Sequence, residues 1–139
     1  AGFVGEPSMN FFDVRLEGER LVALDFEYSL SSDIVTKLDQ EELVLGIRPE
    51  DIELADGASG EHEYAADVLV VEPMGNENSV HLQVGETQFV ATVGGMQRVT
   101  QGETTAIRLP EDAIHLFDRA SGEALHNRRL DEELAEPPV

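Results

Sequence analysis

The chain has 139 residues, 41% of them hydrophobic, and its 29 acidic against 9 basic side chains give a net charge of −20. This length makes one domain of common size or two very small ones. The chain contains no cysteine, which excludes disulfides, thiolate zinc sites and a cysteine nucleophile. Basic residues are too few to neutralise a phosphate backbone, so nucleic-acid binding is disfavoured, and no apolar run approaches the ~18 residues of a membrane span.

The acidic residues are spread along the whole chain, and only one of the nine bases, Lys37, is a lysine. Such an acidic coat is typical of proteins from salt-in halophiles, where molar salt screens the self-repulsion. The alternative, an acidic surface aimed at a basic partner, usually concentrates its charge in blocks. The four histidines have no metal-ligand spacing, so no metal site is predicted; they are His62, His81, His115 and His126.

The first third of the chain predicts a connector followed by short strands. Residues 1–12 are rich in glycine and apolar side chains and predict the connector. Residues 12–17 alternate apolar and charged side chains, the pattern of a half-buried strand. A return strand is predicted to start over 20–24 and a further strand over 26–30. A polar loop with a turn around Asp33 is predicted over 31–40.

A repeated unit organises the chain. Residues 43–54 and 106–118 share an apolar run with an arginine, then Pro-Glu-Asp, then a short second strand, and their prolines are 61 positions apart. A proline suits the first position of a turn, and acidic residues suit its amide-rich start. Each Pro-Glu-Asp therefore predicts a structural corner. The corner residues are Arg48, Pro49, Glu50, Pro110 and Glu111.

The second half again predicts strands separated by turns. A small-residue loop predicts a seam between two β units near 55–62. The strands predicted after it cover residues 63–72, 80–84, 89–93, 104–109 and 114–117. The charged segment 126–139 predicts a flexible acidic tail. No segment predicts a helix of more than two turns, so we expect an all-β fold with OB-like small barrels, short helical turns and an internal duplication.

Four segments, in this order along the chain, resemble the C-terminal regulatory domain of maltose-type ABC transporter ATPase subunits. They are residues 3–11, residues 45–50, residues 71–77, and residues 115–118 with the Ser-Gly-Glu-Ala-Leu that follows at 121–125. The resemblance implies that residues 13–125 form a transport-associated OB-type β domain, preceded by an ATPase domain that this chain lacks.

The resemblance also implies a function. Such domains are non-catalytic parts of the ATP-binding subunits of importers for sugars or related solutes, in the cytoplasm and peripheral to the inner face of the plasma membrane. They imply a homodimer, contact with transporter membrane subunits through the parent protein, and in some members a regulatory protein. No glycine-rich phosphate loop surrounds the sole lysine, so ATP and magnesium are expected in the parent protein and no cofactor in this chain.

The residues expected to contact a second subunit or a regulatory partner are Gly75, Asn76, Glu77, Met96 and Phe11. The first three belong to a predicted solvent-facing turn, for which a plain hairpin without a partner is the alternative interpretation. For Met96 and Phe11 the alternative is that they close the ends of the barrel. One alternative stays open, a domain that binds molybdate or tungstate as related OB-type domains of oxyanion importers do. The shortage of cations argues against it, although backbone amides could hold an anion. A free-standing OB nucleic-acid binder is disfavoured by charge.

Overall fold

The structure is a computed structural model and describes residues 9–57, 60–97 and 99–127. In chain order the strands of this described part are β1 (Asn10–Glu17), β2 (Arg20–Val22), β3 (Glu27–Ser29), β4 (Glu42–Ile47), β5 (Glu53–Ala55), β6 (Glu63–Pro73), β7 (Glu77–Val84), β8 (Thr87–Gly94), β9 (Thr104–Arg108), β10 (His115–Asp118) and β11 (Ala124–His126). A one-turn helix, α1 (Ser32–Val35), and two 3-10 turns, Pro49–Asp51 and Glu111–Ala113, complete the described elements.

The strands form two antiparallel sheets. The first has the order β11-β10-β4-β1-β2-β3 and the second the order β5-β9-β6-β7-β8. The expected all-β fold with short helical turns is confirmed. Side chains from both sheets meet in one core, as two half-buried sheets require to remove their apolar faces from water.

The two copies of the repeated unit pair with each other. β4 lies beside β10, with Gly46 opposite His115, and β5 lies beside β9, with Leu54 opposite Ile107. From the β4–β10 pairing to the β5–β9 pairing, the two copies advance by the same number of residues in opposite directions along the chain. A single antiparallel register therefore continues across both corners. The corners Pro49–Asp51 and Glu111–Ala113 are the places where the chain passes between the sheets.

Among the described strands, β4 is the most completely buried. From Leu43 to Ile47 every residue is buried, because β4 has partners on both sides and side chains over both faces. Tyr28 is completely buried, and its hydroxyl donates a hydrogen bond of 2.8 Å to the carbonyl of Leu109. Phe12 packs edge-on against Phe89 at a ring separation of 5.8 Å, which joins β1 to β8.

The turn predicted around Asp33 is the one-turn helix α1, in which Ile34 turns into the core and is 6% exposed. One local prediction needs correction. The return strand predicted over 20–24 stops at Val22, where the chain turns with the amide of Ala23 donating to the carbonyl of Phe26 at 2.9 Å.

The segments that the sequence predicts as connector, seam and tail overlap or adjoin strands of the structure. The connector 1–12 overlaps β1, and its residues 1–8 lie outside the described part. The segment 55–62 joins β5 to β6, both in the second sheet. His126, the first residue of the predicted tail, ends β11 and is 3% exposed, so strand structure reaches further than 125; residues 128–139 lie outside the described part.

Candidate functional site

The β6–β7 connection is the tight, solvent-facing turn that the sequence predicts. β6 ends at Pro73 and β7 begins at Glu77, and the amide of Met74 donates to the carbonyl of Glu77 at 2.7 Å. Gly75 has φ of +84°, a conformation that costs glycine little and other residues more. Residues 73–77 are all exposed.

A second turn, after β8, lies against the first. Glu77 is paired with Gly94, and the amide of Gly95 donates to the carbonyl of Asn76 at 2.9 Å. A Cβ atom on Gly95 would stand 2.9 Å from that carbonyl oxygen, so the close approach requires glycine. The two turns, residues 73–77 and 94–97, therefore form one end of the second sheet, which we call the methionine end.

The methionine end carries two exposed apolar side chains. Met74 is 65% exposed and Met96 is 96% exposed. Thioether side chains are flexible and polarisable, which suits them to contact surfaces that must adapt to a partner. Four of the five predicted contact residues, Gly75, Asn76, Glu77 and Met96, thus lie together.

Phe11, the fifth, lies on the first sheet. Its ring meets that of Phe117 edge-on at 5.9 Å, and both rings close over Gly46. A Cβ atom on Gly46 would stand 3.2 Å from the Phe117 ring, 3.3 Å from the Phe11 ring and 2.6 Å from the sulfur of Met9. Phe11 therefore belongs to an aromatic cluster on β1, β4 and β10, and the structure does not bring it to the methionine end.

A polar groove of about 410 Å³ runs between the first corner and β8 and reaches the methionine end. It is lined by Glu50, Ile52, Glu53, Leu54, Thr92, Val93, Gly94 and Gln97. Glu53 forms an ion pair with Arg108, which offsets its charge. Glu50 is exposed and leaves the groove electronegative. The groove therefore suits a cationic or amide-bearing side chain of a partner.

The corner residues are structural, and one has a role that the sequence did not indicate. Pro49 is buried in the first corner. A carboxylate oxygen of Glu111 accepts the backbone N–H of Ser31 at 2.9 Å and so ties the second corner to the segment before α1. Asp51 is partly buried, and this burial, together with the nearby Glu50 carboxylate, raises its pKa above the ordinary value.

Sequence reasoning also missed Asn10, which connects the two sheets. Its side-chain amide donates to the carbonyls of Ile47 at 3.2 Å and Val90 at 2.8 Å, and its side-chain oxygen accepts the backbone N–H of Val90 at 2.9 Å. The side chain thus pairs with the free edge of β8 as a backbone peptide would. In the sequence Asn10 stands out only as one residue of the segment 3–11, and no local pattern indicates its partner in β8.

His62 supports the second corner. It is a non-glycine residue with φ of +64°, and its ring stacks on Tyr28 at a separation of 4.0 Å. Its Nε2 lies 2.7 Å from the carbonyl of Ser29; because a carbonyl only accepts, Nε2 carries the proton. The backbone carbonyl of His62 accepts the amide of Leu109 at 3.0 Å, so His62 holds the chain where β9 ends.

Nowhere in residues 9–57, 60–97 and 99–127 do three or more histidine, aspartate or glutamate side chains gather as a metal site. Within the same ranges no helix is long and apolar enough to cross a membrane.

Two family profiles match the chain. The profile of the TOBE domain covers residues 45–117, and that of the MalK OB fold domain covers residues 5–52. Together they cover residues 5–117, which include both corners, the whole second sheet and the first sheet up to β10.

Curated relatives are ATP-binding proteins of importers. The chain is 49% identical to the xylose/arabinose import ATP-binding protein XacK of Haloferax volcanii over 94% of this chain and 35% of that protein. It is 35% identical to the trehalose/maltose import ATP-binding protein MalK of Thermococcus litoralis over 90% of this chain and 36% of that protein. The chain therefore spans about a third of the length of these relatives.

A solved structure of the cytoplasmic molybdate-binding protein ModG is similar in fold. It superposes with a TM-score of 0.59 over 77% of this chain and 94% of that chain, at 16% sequence identity. This likeness supports the OB-like character of the two curled sheets and concerns the fold alone.

Proposed function

The chain belongs to the TOBE domain family, and from this premise we propose that it is the non-catalytic regulatory domain of the ATP-binding subunit of an ABC importer for sugars or related solutes. The observation that carries the proposal is the 49% identity with XacK, which extends over 94% of the chain. Identity of this level over nearly the whole chain supports a shared place in the parent protein. ATP and magnesium then bind the parent protein outside this domain.

The proposal includes self-association through the methionine end. Met74 and Met96 present apolar surface at the end of a sheet whose other apolar side chains are largely buried. A two-fold contact uses the same patch on both copies, and the groove beside the patch supplies polar groups for its rim. Each copy carries a net charge of −20, so association should be weak in dilute buffer and firmer in molar KCl.

The parent protein is proposed to lie in the cytoplasm, against the inner face of the plasma membrane. There it would meet the importer's membrane subunits, whose proximity would strengthen weak pairing of the regulatory domains. A regulatory protein is a further proposed partner of the methionine end. The oxyanion-binding alternative has less support, because the described groove is lined by carboxylates and not by cations.

A chimera tests the proposed place of the domain. This chain would replace the part of XacK that it matches, in Haloferax volcanii cells lacking both XacK and the related xylose/arabinose import protein XacJ. We expect the chimera to restore growth on xylose, and XacK with the same part deleted to fail. A chimera that is produced at the level of XacK but supports no growth would overturn the proposal.

Sedimentation of the chain in molar KCl tests the proposed contact. Met96→Glu should weaken self-association, because it adds charge to the apolar patch. Leu24→Glu is the matched control: Leu24 is 84% exposed but lies after β2, away from the methionine end. Equal effects of the two substitutions, or a wild-type chain that stays monomeric at hundreds of micromolar, would contradict this contact.

A further inference from the structure

The three methionines of the chain differ sharply in exposure. Met9 is 6% exposed, Met74 is 65% exposed and Met96 is 96% exposed. The chain has no cysteine, so no thiol competes for oxidants. The rate at which a methionine is oxidised depends on the access of the oxidant to its sulfur. The fold therefore protects the sulfur of Met9 and leaves those of Met74 and Met96 accessible.

The two accessible thioethers lie at the same end of one sheet. The Gly95–Asn76 hydrogen bond holds their turns together, and three neighbours, Gly75, Gly94 and Gly95, have no side chain. The thioethers therefore supply much of the apolar surface at this end. A polar group on either sulfur would change the character of the whole patch.

We propose that Met74 and Met96 form a peroxide-sensitive modification site that weakens the contact made by the methionine end. The consequence for the contact rests on the proposed function; the site itself does not. In the reaction the thioether sulfur attacks one oxygen of hydrogen peroxide, and the O–O bond breaks. The sulfur keeps that oxygen as a sulfoxide and is oxidised by two electrons, and the departing hydroxide takes the proton of the transferred oxygen and leaves as water.

The fold determines what oxidation does at each position. Both exposed methionines follow the last residues of strands, and the hydrogen bonds that hold their turns run between backbone groups. A sulfoxide there leaves the hairpin intact and converts an apolar patch into a polar one. Sulfoxide formation is reversible by methionine sulfoxide reductases, so the modification acts as a switch on a contact and not as unfolding.

Met9 is the internal control. Its sulfur lies over Gly46, as do the rings of Phe11 and Phe117, and the residue is buried, so an oxidant reaches it only when the cluster opens. The oxidation rate of Met9 therefore measures how often the folded chain opens. The oxidation rate of Met96 measures the reaction of an exposed sulfur without opening.

Peptide mapping tests the site, after timed exposure to hydrogen peroxide in molar KCl of a chain dilute enough to be monomeric by sedimentation. We expect one added oxygen each on Met74 and Met96, at rates on the order of tenfold or more above that of Met9. In denaturant the three rates should become equal. Oxidation of Met9 as fast as Met96 in the folded chain, or resistance of Met74 and Met96, would overturn the assignment.

Sedimentation after the same exposure tests the consequence. The oxidised wild type should lose association, and treatment with both epimer-specific reductases should restore it. A Met74→Leu/Met96→Leu variant should associate with or without peroxide, since leucine keeps the apolar volume and cannot be oxidised. Oxidised wild type that associates undiminished would overturn the switch. A reduced chain that never associates would overturn the proposed contact and the switch together, while the peptide map still decides the modification site.

Discussion

Gly46 shows how closely a single position can be determined by its neighbours. Its missing Cβ lets Met9, Phe11 and Phe117 meet over β4. We expect Gly46→Ala to lower the free energy of unfolding by about 1–3 kcal/mol, because buried groups on three sides must move. Urea unfolding in molar KCl measures this.

Gly94→Ala provides the control for that substitution. Gly94 is also a strand glycine, with no atom within 4 Å of an added Cβ. It should change stability by less than about 0.5 kcal/mol. Equal costs at the two positions would show that glycine's backbone freedom, and not side-chain contact, decides both.

The two tyrosines of the chain predict a pH dependence. Burial raises the pKa of both Tyr28 and Tyr64 well above the ordinary value of 10.0. Above that pH the unfolded chain releases their protons while the folded chain keeps them, so stability falls as pH rises past about 10. Tyr64→Phe should reduce the slope of this fall.

Ultraviolet absorbance of tyrosinate measures the same effect directly. The chain has two tyrosines and no tryptophan, so the signal is easily assigned. In the folded chain the absorbance should rise only above the pH at which the urea-unfolded chain titrates. Identical curves for the folded and unfolded chains would contradict the assigned burial.

Asn10 predicts a difference between two substitutions. Asn10→Ala removes all three side-chain hydrogen bonds and should cost about 1–3 kcal/mol, with faster amide exchange at Val90. Asn10→Asp keeps the acceptor for the Val90 amide but places an anionic oxygen beside the carbonyls of Ile47 and Val90. At acid pH, where the aspartic acid is protonated, amide hydrogen exchange at Val90 should be slower in Asn10→Asp than in Asn10→Ala. Unchanged exchange at Val90 in Asn10→Ala would exclude the side chain as the link between the sheets.

At the scale of elements, strands and turns could be predicted and their partners could not. Alternation identified residues 12–17 as a strand, and the repeated Pro-Glu-Asp identified both corners, because these signals are local. The pairing of β4 with β10 joins segments far apart in the chain, and periodicity carries no information about it. The turn predicted around Asp33 is the helix α1, but the polar sequence did not indicate that Ile34 within it is buried.

The same distinction applies to the candidate site. Glycine and asparagine predicted the turn at 74–77, and the structure confirms its place between β6 and β7. That Met96 lies against this turn follows from the pairing of Glu77 with Gly94, which is a tertiary fact. Phe11 was grouped with these residues only because its side chain is apolar. An apolar side chain gives no indication of the face of the molecule on which it lies. The contact role of these residues stays a prediction.

At the scale of the whole molecule, charge predicts a dependence on salt. A net charge of −20 on 139 residues repels itself over a Debye length of ~30 Å in 0.01 M salt and over ~3 Å in 1 M salt. We therefore expect the melting temperature to rise from dilute buffer to molar KCl. A melting temperature that stays flat or falls with KCl would remove the argument for a salt-adapted surface.

The pairing of the two repeated units has a consequence for how the chain is made. β4 needs β1 on one side and β10 on the other, and β10 leaves the ribosome after every strand of the second sheet. Until then one edge of the most deeply buried strand offers unpaired amides and carbonyls to any other chain, the arrangement from which strand-to-strand aggregation starts. Closing so long a loop is also slow. Pairing of residues 115–118 therefore covers the edge of β4 that stays exposed during synthesis. A chain that stops before them would be prone to aggregate, even with its second sheet fully formed.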